Sequence, residues 1–403
     1  MNVYLIHYID FPEGTACTAH SKLMIQGLRK NGVKASLLIP HGGMLSKNAN
    51  NKRLIGHFEG VPYCYLNNRT TLPSKYRFFT IIRGNIKTAI FLYKKRKKTD
   101  YIILATPDFI RFLPIILICF IAKIHFIVWA VERMSLSKDI KGIKGRIQYF
   151  GNLLSEIILP KISSGYIVIS NLLMEYYLKK KKDLKIILSP ILINPTEEFK
   201  PANHNLKKYL SIIPNNNKIL LYTGTFGEND GFNFILEAYA KVRELRKDVI
   251  LVTTGKALNN KTNEFINKKA NELQIEEYVV HLGFLKRYEM REIIHKADVL
   301  LVCRVNSLFA NYGFPWKLGE YCMTKRPIIS TKISDLPVYF KDNESIFFVD
   351  PENPYSLSKK ILEVLDNYKN SLKVAKNGFK IASNEFNYLT KMYELKMFIK
   401  DLN

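Results

Sequence analysis

Short apolar runs alternate with amphipathic helical stretches twice along this 403-residue chain, and that alternation confines it to few folds. In the first half Val3–Tyr8, Ala35–Pro40, Tyr101–Ala105, Phe126–Val131 and Gly165–Ile169 read as buried strands. Between the first two, Ala16, Ala19, Leu23 and Leu28 recur at helical spacing, and Gly32 ends the helix. Buried strands separated by helices are joined by crossovers and form parallel βαβ units. Residues 195–217 interrupt the pattern, with Pro195, Pro201 and Pro214 scattered among Asn and Lys, and read as a linker. A second series follows. Lys218–Thr223, Val249–Thr253, Tyr278–Leu282 and Val299–Val302 read as strands, with helices over Gly231–Leu245 and Arg287–Lys296 and a late strand containing Phe347 and Phe348. The expected fold class is α/β, with two doubly wound domains over residues 1–200 and 201–385. A C-terminal helix, 386–403, is expected to return to the first domain. Sheets of this kind bind ligands at the carboxyl ends of their strands.

Composition narrows the function classes. The five cysteines form no Cys-x-x-Cys pair and suit packing in a reducing compartment. The eight histidines show no His-x-x-x-His spacing, so no zinc site is expected. The N-terminus reads as a first strand rather than a signal peptide. The most apolar stretch, Phe112–Ala122, stops at Lys123 and is shorter than the roughly 20 residues of a membrane span. A buried helix is expected there. The net charge of +26 is uneven: residues 1–200 hold 31 Lys+Arg against 12 Asp+Glu, and residues 201–403 hold 30 against 23. Residues 75–98 interleave Lys75, Arg77, Arg83, Lys87, Lys94, Lys95, Arg96, Lys97 and Lys98 with Phe78, Phe79, Ile82, Ile86, Ile90, Phe91 and Tyr93. This basic, amphipathic segment points the first half towards an anionic membrane surface. No nucleic-acid recognition motif accompanies the charge, so nucleic acid is not an expected partner.

Residues 311–331 carry the densest chemical information. Pro315 rules out a continuous helix through Gly313-Phe314, Trp316–Met323 fits a short helix, and Ile328–Thr331 fits a buried strand. A loop opening into a helix presents unpaired N–H groups and a positive dipole end. Lys317 adds a charge there, and Glu320 follows one turn later on the adjacent face. That pairing suits a ligand with phosphates at one end and sugar hydroxyls at the other.

The run Phe314-Pro-Trp-Lys-Leu-Gly-Glu-Tyr321 resembles the donor-site signature of retaining glycosyltransferases of family 4, in its Phe-Pro-x-Lys-Leu-x-Glu-Tyr variant. The likeness is best from about residue 219 to about 365 and is weak before that, where Gly14 and Val168–Ser170 are the main matches. It implies the GT-B fold, two Rossmann-like domains facing across a cleft. It also implies a nucleotide-sugar donor, UDP- or GDP-linked, as substrate and no cofactor. On this resemblance Glu320 holds the donor ribose, Gly313 and Phe314 form the donor loop, and Lys317 and Leu318 open its helix. Gly14, Gly224, Thr225 and Leu285 complete the donor-binding set. The chain departs from the pattern at Tyr312, where the family has a first Glu, and at Thr225 and Asp230, where it has Arg and Lys. Arg304 and Lys317 are then the candidates for neutralising the diphosphate, since burying it unpaired is costly. Glu132 and Arg133 end a first-domain strand and are the catalytic candidates on the acceptor side, with His7 and His20 as weaker ones. Asp-x-Asp occurs nowhere, which favours a metal-independent reaction. The expected acceptor is a lipid-linked glycan in surface polysaccharide synthesis (capsule, O-antigen or exopolysaccharide), at the cytoplasmic inner face of the membrane. A nucleotide-sugar epimerase of the same fold and a non-catalytic membrane-surface protein with a decayed donor site are the rival readings.

Overall fold

A computed structural model describes residues 1–41, 53–67, 77–136, 142–197, 213, 216–224, 226–227, 230–255 and 260–402. The chain divides into two compact units. The first comprises Met1–Asn194, Tyr312–Phe314 and Phe386–Asn403, and the second Pro195–Asn311 and Pro315–Glu385.

The first unit is built on one sheet. Its strands are β1 (Asn2–Ile6), β2 (Lys34–Ile39), β3 (Ile55–Phe58), β4 (Val61–Tyr65), β5 (Tyr101–Ala105), β6 (His125–Ala130), β7 (Gly165–Val168) and β8 (Ile186–Leu188). They lie in the order β3-β4-β2-β1-β5-β6-β7-β8, parallel except for β3 against β4. Every residue of β5 is buried, as a central parallel strand covered on both faces requires. The helices are α1 (Ala16–Lys30), α2 (Arg77–Lys95), α3 (Phe109–Ala122), α4 (Gly142–Ile162) and α5 (Asn171–Lys180). The β3–β4 hairpin has no counterpart in the sequence reading. It turns through Glu59 and Gly60, both at positive φ, and β3 is largely exposed, so no apolar run marks it. The expectation of a buried helix at Phe112–Ala122 needs correction. α3 buries Phe112, Ile115, Ile116 and Cys119 but leaves Leu113, Leu117, Phe120 and Ile121 exposed.

The second unit has a fully parallel sheet of β9 (Lys218–Thr223), β10 (Val249–Thr254), β11 (Val279–His281), β12 (Val299–Val302), β13 (Ile328–Thr331) and β14 (Phe347–Val349), ordered β11-β10-β9-β12-β13-β14. Its helices are α6 (Phe232–Leu245), α7 (Asn260–Glu272), α8 (Arg287–Lys296), α9 (Leu308–Tyr312), α10 (Lys317–Met323), α11 (Leu336–Tyr339), α12 (Pro354–Asp366) and α13 (Tyr368–Glu385). α9 runs into Tyr312, which belongs with the first unit, so the segment expected as loop is helical up to Tyr312. Leu220, Leu251, Leu301 and Ile329 from four neighbouring strands pack with Ile235 and Val242 of α6 and Leu357 and Ile361 of α12 in one core. The chain runs outward from β9 to β11 and then returns to β12 on the other side of β9. That reversal places the topological switch point between β9 and β12.

The last helix, α14 (Tyr388–Lys400), packs on α1 in the first unit. Gly27 permits the approach. A Cβ there would stand 2.7 Å from the Tyr388 carbonyl oxygen and 2.6 Å from Met392 Cγ. In an exposed helix Gly→Ala stabilises by about 1 kcal/mol. Here the backbone contact reverses the sign, and Gly27→Ala is expected to destabilise by about 1–3 kcal/mol in urea unfolding. A stabilised variant would show that α14 does not dock tightly on α1.

Candidate functional site

The second unit concentrates its chemistry where β9 and β12 end. Arg304 follows β12 after Cys303. It is 9% exposed, and its backbone N–H donates to Thr331 Oγ1 at 2.9 Å, which ties the β12 exit to the end of β13. Lys317 opens α10. Its half-buried side chain turns inward, donates to the Thr223 carbonyl at the end of β9, and holds its Nζ 4.5 Å over the Tyr222 ring. The Tyr321 and Thr223 hydroxyls, 2.8 Å apart, brace the same strand end against α10. Burial pushes the Lys317 ammonium below its ordinary pKa. Asp230 pulls it back up, and the Arg304 guanidinium pushes it down again. The Lys317 ammonium thus feels the repulsion of the Arg304 guanidinium and the attraction of the Asp230 carboxylate. Asp230 itself accepts from the Gly227 backbone N–H at 3.2 Å. Like charges raise the cost of one another, and negative charge placed beside both offsets it.

Backbone packing leaves the strand ends bare. A Cβ on Gly255 (φ +133°) would lie 1.7 Å from the Gly224 carbonyl oxygen, so both positions are held to close backbone approach. The Gly224 N–H donates to Thr254 O at 3.0 Å, and the Gly255 N–H to Gly283 O at 2.8 Å, linking the exits of β9, β10 and β11. The Leu285 side chain is buried, and the exposed ring beside it is Phe284. Thr225 lies outside the described residues.

Glu320 does not lean on Lys317 as helical spacing suggested. Its carboxylate is 3.8 Å from Arg287 Nη2, at the start of α8, and its side chain is 38% exposed. Arg287 escaped the sequence reading because nothing local links positions 33 apart. Leu318 is fully buried and anchors α10 in the core. Gly313 and Phe314 belong with the first unit, where the Phe314 ring is buried and meets Phe386 edge-on at 5.7 Å. The side chains of Leu318 and Phe314 are packing elements.

In the first unit, Glu132 and Arg133 follow β6 and part company. Arg133 is committed to Glu156, with its Nε and Nη2 each 3.4 Å from Oε2, and its guanidinium covers the rings of Tyr176 at 4.1 Å and Tyr312 at 5.1 Å. Glu156 is buried and also accepts from the Tyr176 hydroxyl at 2.7 Å and the Ser135 N–H at 3.1 Å. This network positions the β6 exit. The Tyr312 carbonyl accepts from Ser170 Oγ, the N-cap of α5, at 2.7 Å. Glu132 is half-buried and lies near Cys17 at the start of α1, whose thiol is pushed up to about 11 by burial and then by the Glu132 charge. Gly14, in the loop before α1, has no room for a Cβ beside Thr18 and the Asp10 carbonyl, which Thr18 Oγ1 bonds at 2.8 Å.

His7 and His20 form a buried stack with Trp129 of β6. His20 lies nearly parallel to the indole at 4.8 Å, and His7 meets it edge-on at 5.6 Å with Nδ1 2.9 Å from Ser21 Oγ. Burial lowers His7 to about 4, and burial followed by the neighbouring His7 lowers His20 to about 3. Among the described residues no group of three or more His, Cys, Asp or Glu could hold a metal ion.

A family model described as glycosyl transferases group 1 matches residues 208–381. No curated protein sequence matches the chain. Anabaena HepE, solved with UDP and glucose, aligns over all of both chains at 15% identity and TM-score 0.73. Sucrose-phosphate synthase of Thermosynechococcus elongatus aligns over 100% of this chain and 99% of its own, at 15% identity and TM-score 0.74. WaaG, a glycosyltransferase of lipopolysaccharide biosynthesis, aligns over 98% and 99% at 13% identity and TM-score 0.65.

Two measurements test the site's electrostatics. Lys317→Met removes a charge that burial disfavours and keeps the apolar stem. It is expected to leave the melting temperature of the ligand-free protein unchanged or higher, while weakening binding of a nucleoside diphosphate about 10²-fold or more. Undiminished binding would remove Lys317 from the site. For the histidines, the folded chain holds both neutral while the unfolded chain protonates them below its ordinary 6.5. Unfolded protein then binds more protons, so stability falls as pH drops from about 6.5 towards about 4, by up to about 3 kcal/mol for His7. His20→Phe keeps the stack on Trp129 and should flatten the acid limb of a melting-temperature profile; parallel profiles would contradict the neutral stack.

The chain has the GT-B fold, and its segment 208–381, which carries Arg304, Lys317 and Glu320, matches the glycosyl transferases group 1.

Proposed function

We propose that this protein is a retaining glycosyltransferase that moves a sugar from a UDP- or GDP-linked donor to a lipid-linked glycan acceptor in surface polysaccharide synthesis. The carrying observation is the pair of cations, Arg304 and Lys317, at the carboxyl ends of β12 and β9. Glycosyl transfer from a nucleotide sugar breaks the bond between the anomeric carbon and the diphosphate, and negative charge builds on the departing phosphate. A guanidinium offers that phosphate two N–H donors in a plane, and an ammonium adds a point charge. Both are in place before the bond breaks, so little reorganisation accompanies the step. Glu320, half-exposed one turn into α10, accepts hydrogen bonds from the donor ribose hydroxyls, with Arg287 holding its carboxylate in register. Glu132, half-buried at the β6 exit, orients or deprotonates the acceptor hydroxyl. Arg133, the residue after Glu132, is held by Glu156 and positions the β6 exit. The intact cation pair speaks against a decayed donor site. HepE, a structure of similar fold, is bound to UDP and glucose, and WaaG acts in lipopolysaccharide biosynthesis; both support the assignment of substrate class.

Retention of the donor's anomeric configuration is the expected outcome, read by NMR of the product linkage. With two side-chain cations on the diphosphate and no Asp-x-Asp in the sequence, turnover should persist in excess chelator. An inverted linkage, or activity lost in chelator and restored by manganese, would contradict the proposal. Release of an epimerised nucleotide sugar without transfer would assign the fold to epimerisation instead.

A further inference from the structure

The first unit carries an apolar face that neither its core nor the donor site uses. The connections β4→β5, β5→β6 and β6→β7 all advance across the sheet in one direction, so right-handed crossovers place α2, α3 and α4 on the same side. α3 packs between the other two. Each helix buries one side on the sheet and shows the other to solvent, and that outer side is apolar. In α3 the exposed row is Leu113, Leu117, Phe120 and Ile121, at helical spacing, with Ile121 70% exposed. In α2 it is Phe79, Ile86, Ile90 and Tyr93, with Phe79 69% exposed. α4 adds Phe150 and Ile157.

Charge identifies the occupant. α2 and α3 contain no Asp or Glu, and the one carboxylate of α4, Glu156, is buried against Arg133. Exposed cations border the apolar rows: Arg83 within α2, Lys94–Lys98 at its end, Lys123 after α3, and Arg146 and Lys161 on α4. A second copy of the chain would bring like charges together on this face. None of the helices among the described residues is long and apolar enough to cross a membrane. An apolar ridge rimmed by cations, with exposed Tyr93 and Tyr149 at its margins, fits the interface of an anionic bilayer, where side chains reach the acyl boundary and cations meet lipid phosphates.

We infer that α2, α3 and α4 form one membrane-docking face, with Leu117, Phe120 and Ile121 of α3 entering an anionic leaflet while the α2 cations hold its headgroups. The inference rests on the proposed function only in that a lipid-linked acceptor would be met at that leaflet.

The test uses the full chain and vesicles of phosphatidylcholine, alone or with about 30% phosphatidylglycerol. Wild-type protein is expected to sediment with the anionic vesicles and to be partly released by salt. Replacing Leu117, Phe120 and Ile121 by Ser should lower the partition coefficient about tenfold or more, with circular dichroism melting and UDP binding in the absence of lipid unchanged. Phe120→Trp keeps an apolar ring at the site, and its fluorescence should be quenched by brominated acyl chains. Failure of wild-type protein to sediment, sedimentation of the serine variant at the wild-type level, or no added quenching from Phe120→Trp would each overturn the docking face, as would dimerisation through it in light scattering. UDP binding without lipid tests the transferase reading on its own, so the two can fail separately.

Discussion

Two like charges that repel one another are a state that a folded protein supports only through its surroundings. Arg304 is fixed through its backbone to Thr331, and Lys317 through its ammonium to the Thr223 carbonyl, so the sheet itself imposes their proximity. Burial and Arg304 both oppose the Lys317 charge, and Asp230 offsets part of that opposition. Much else in the second unit serves this point: the parallel order that puts the switch between β9 and β12, the buried Tyr321 that braces Thr223, and the close backbone approach at Gly224 and Gly255.

The central strands were legible because parallel strands buried on both faces leave continuous apolar runs, and β5 spans the residues expected of it. The edge hairpin was not, since half-exposed β3 carries no such run. The outer row of α3 was hidden for the opposite reason. Its sequence is apolar on every side, so periodicity cannot tell the buried face from the exposed one until the neighbouring helices are in place. Lys317 and Glu320 were legible as a cation and a carboxylate at a helix mouth. Their partners were not: Lys317 reaches Thr223 and Glu320 meets Arg287, contacts that span 94 and 33 positions and exist only in the folded sheet.

Tyr312 stands where the sequence resemblance implied a first Glu. Tyr312 lays its ring against Tyr176 and beneath the Arg133 guanidinium, and its carbonyl takes the Ser170 hydroxyl. The residue works as an anchor in a network of aromatic rings and a buried ion pair. An acid there would stand beside buried Glu156, whose single charge already engages Arg133. The two carboxylates would compete for one guanidinium, which accounts for an aromatic residue with a backbone role at this position.

Proton linkage tests the central claim most directly, because it reports the state of Lys317 itself. Nucleoside diphosphate is titrated calorimetrically into the protein from about pH 7 to about pH 10, in buffers of different ionisation heat. A lysine depressed in the free protein and restored by a bound diphosphate takes up a proton on binding. Net proton uptake is expected to grow on the alkaline side and to vanish in Lys317→Met. Tight binding without uptake at any pH, or the same uptake in the variant, would show that the diphosphate does not sit on this cation pair.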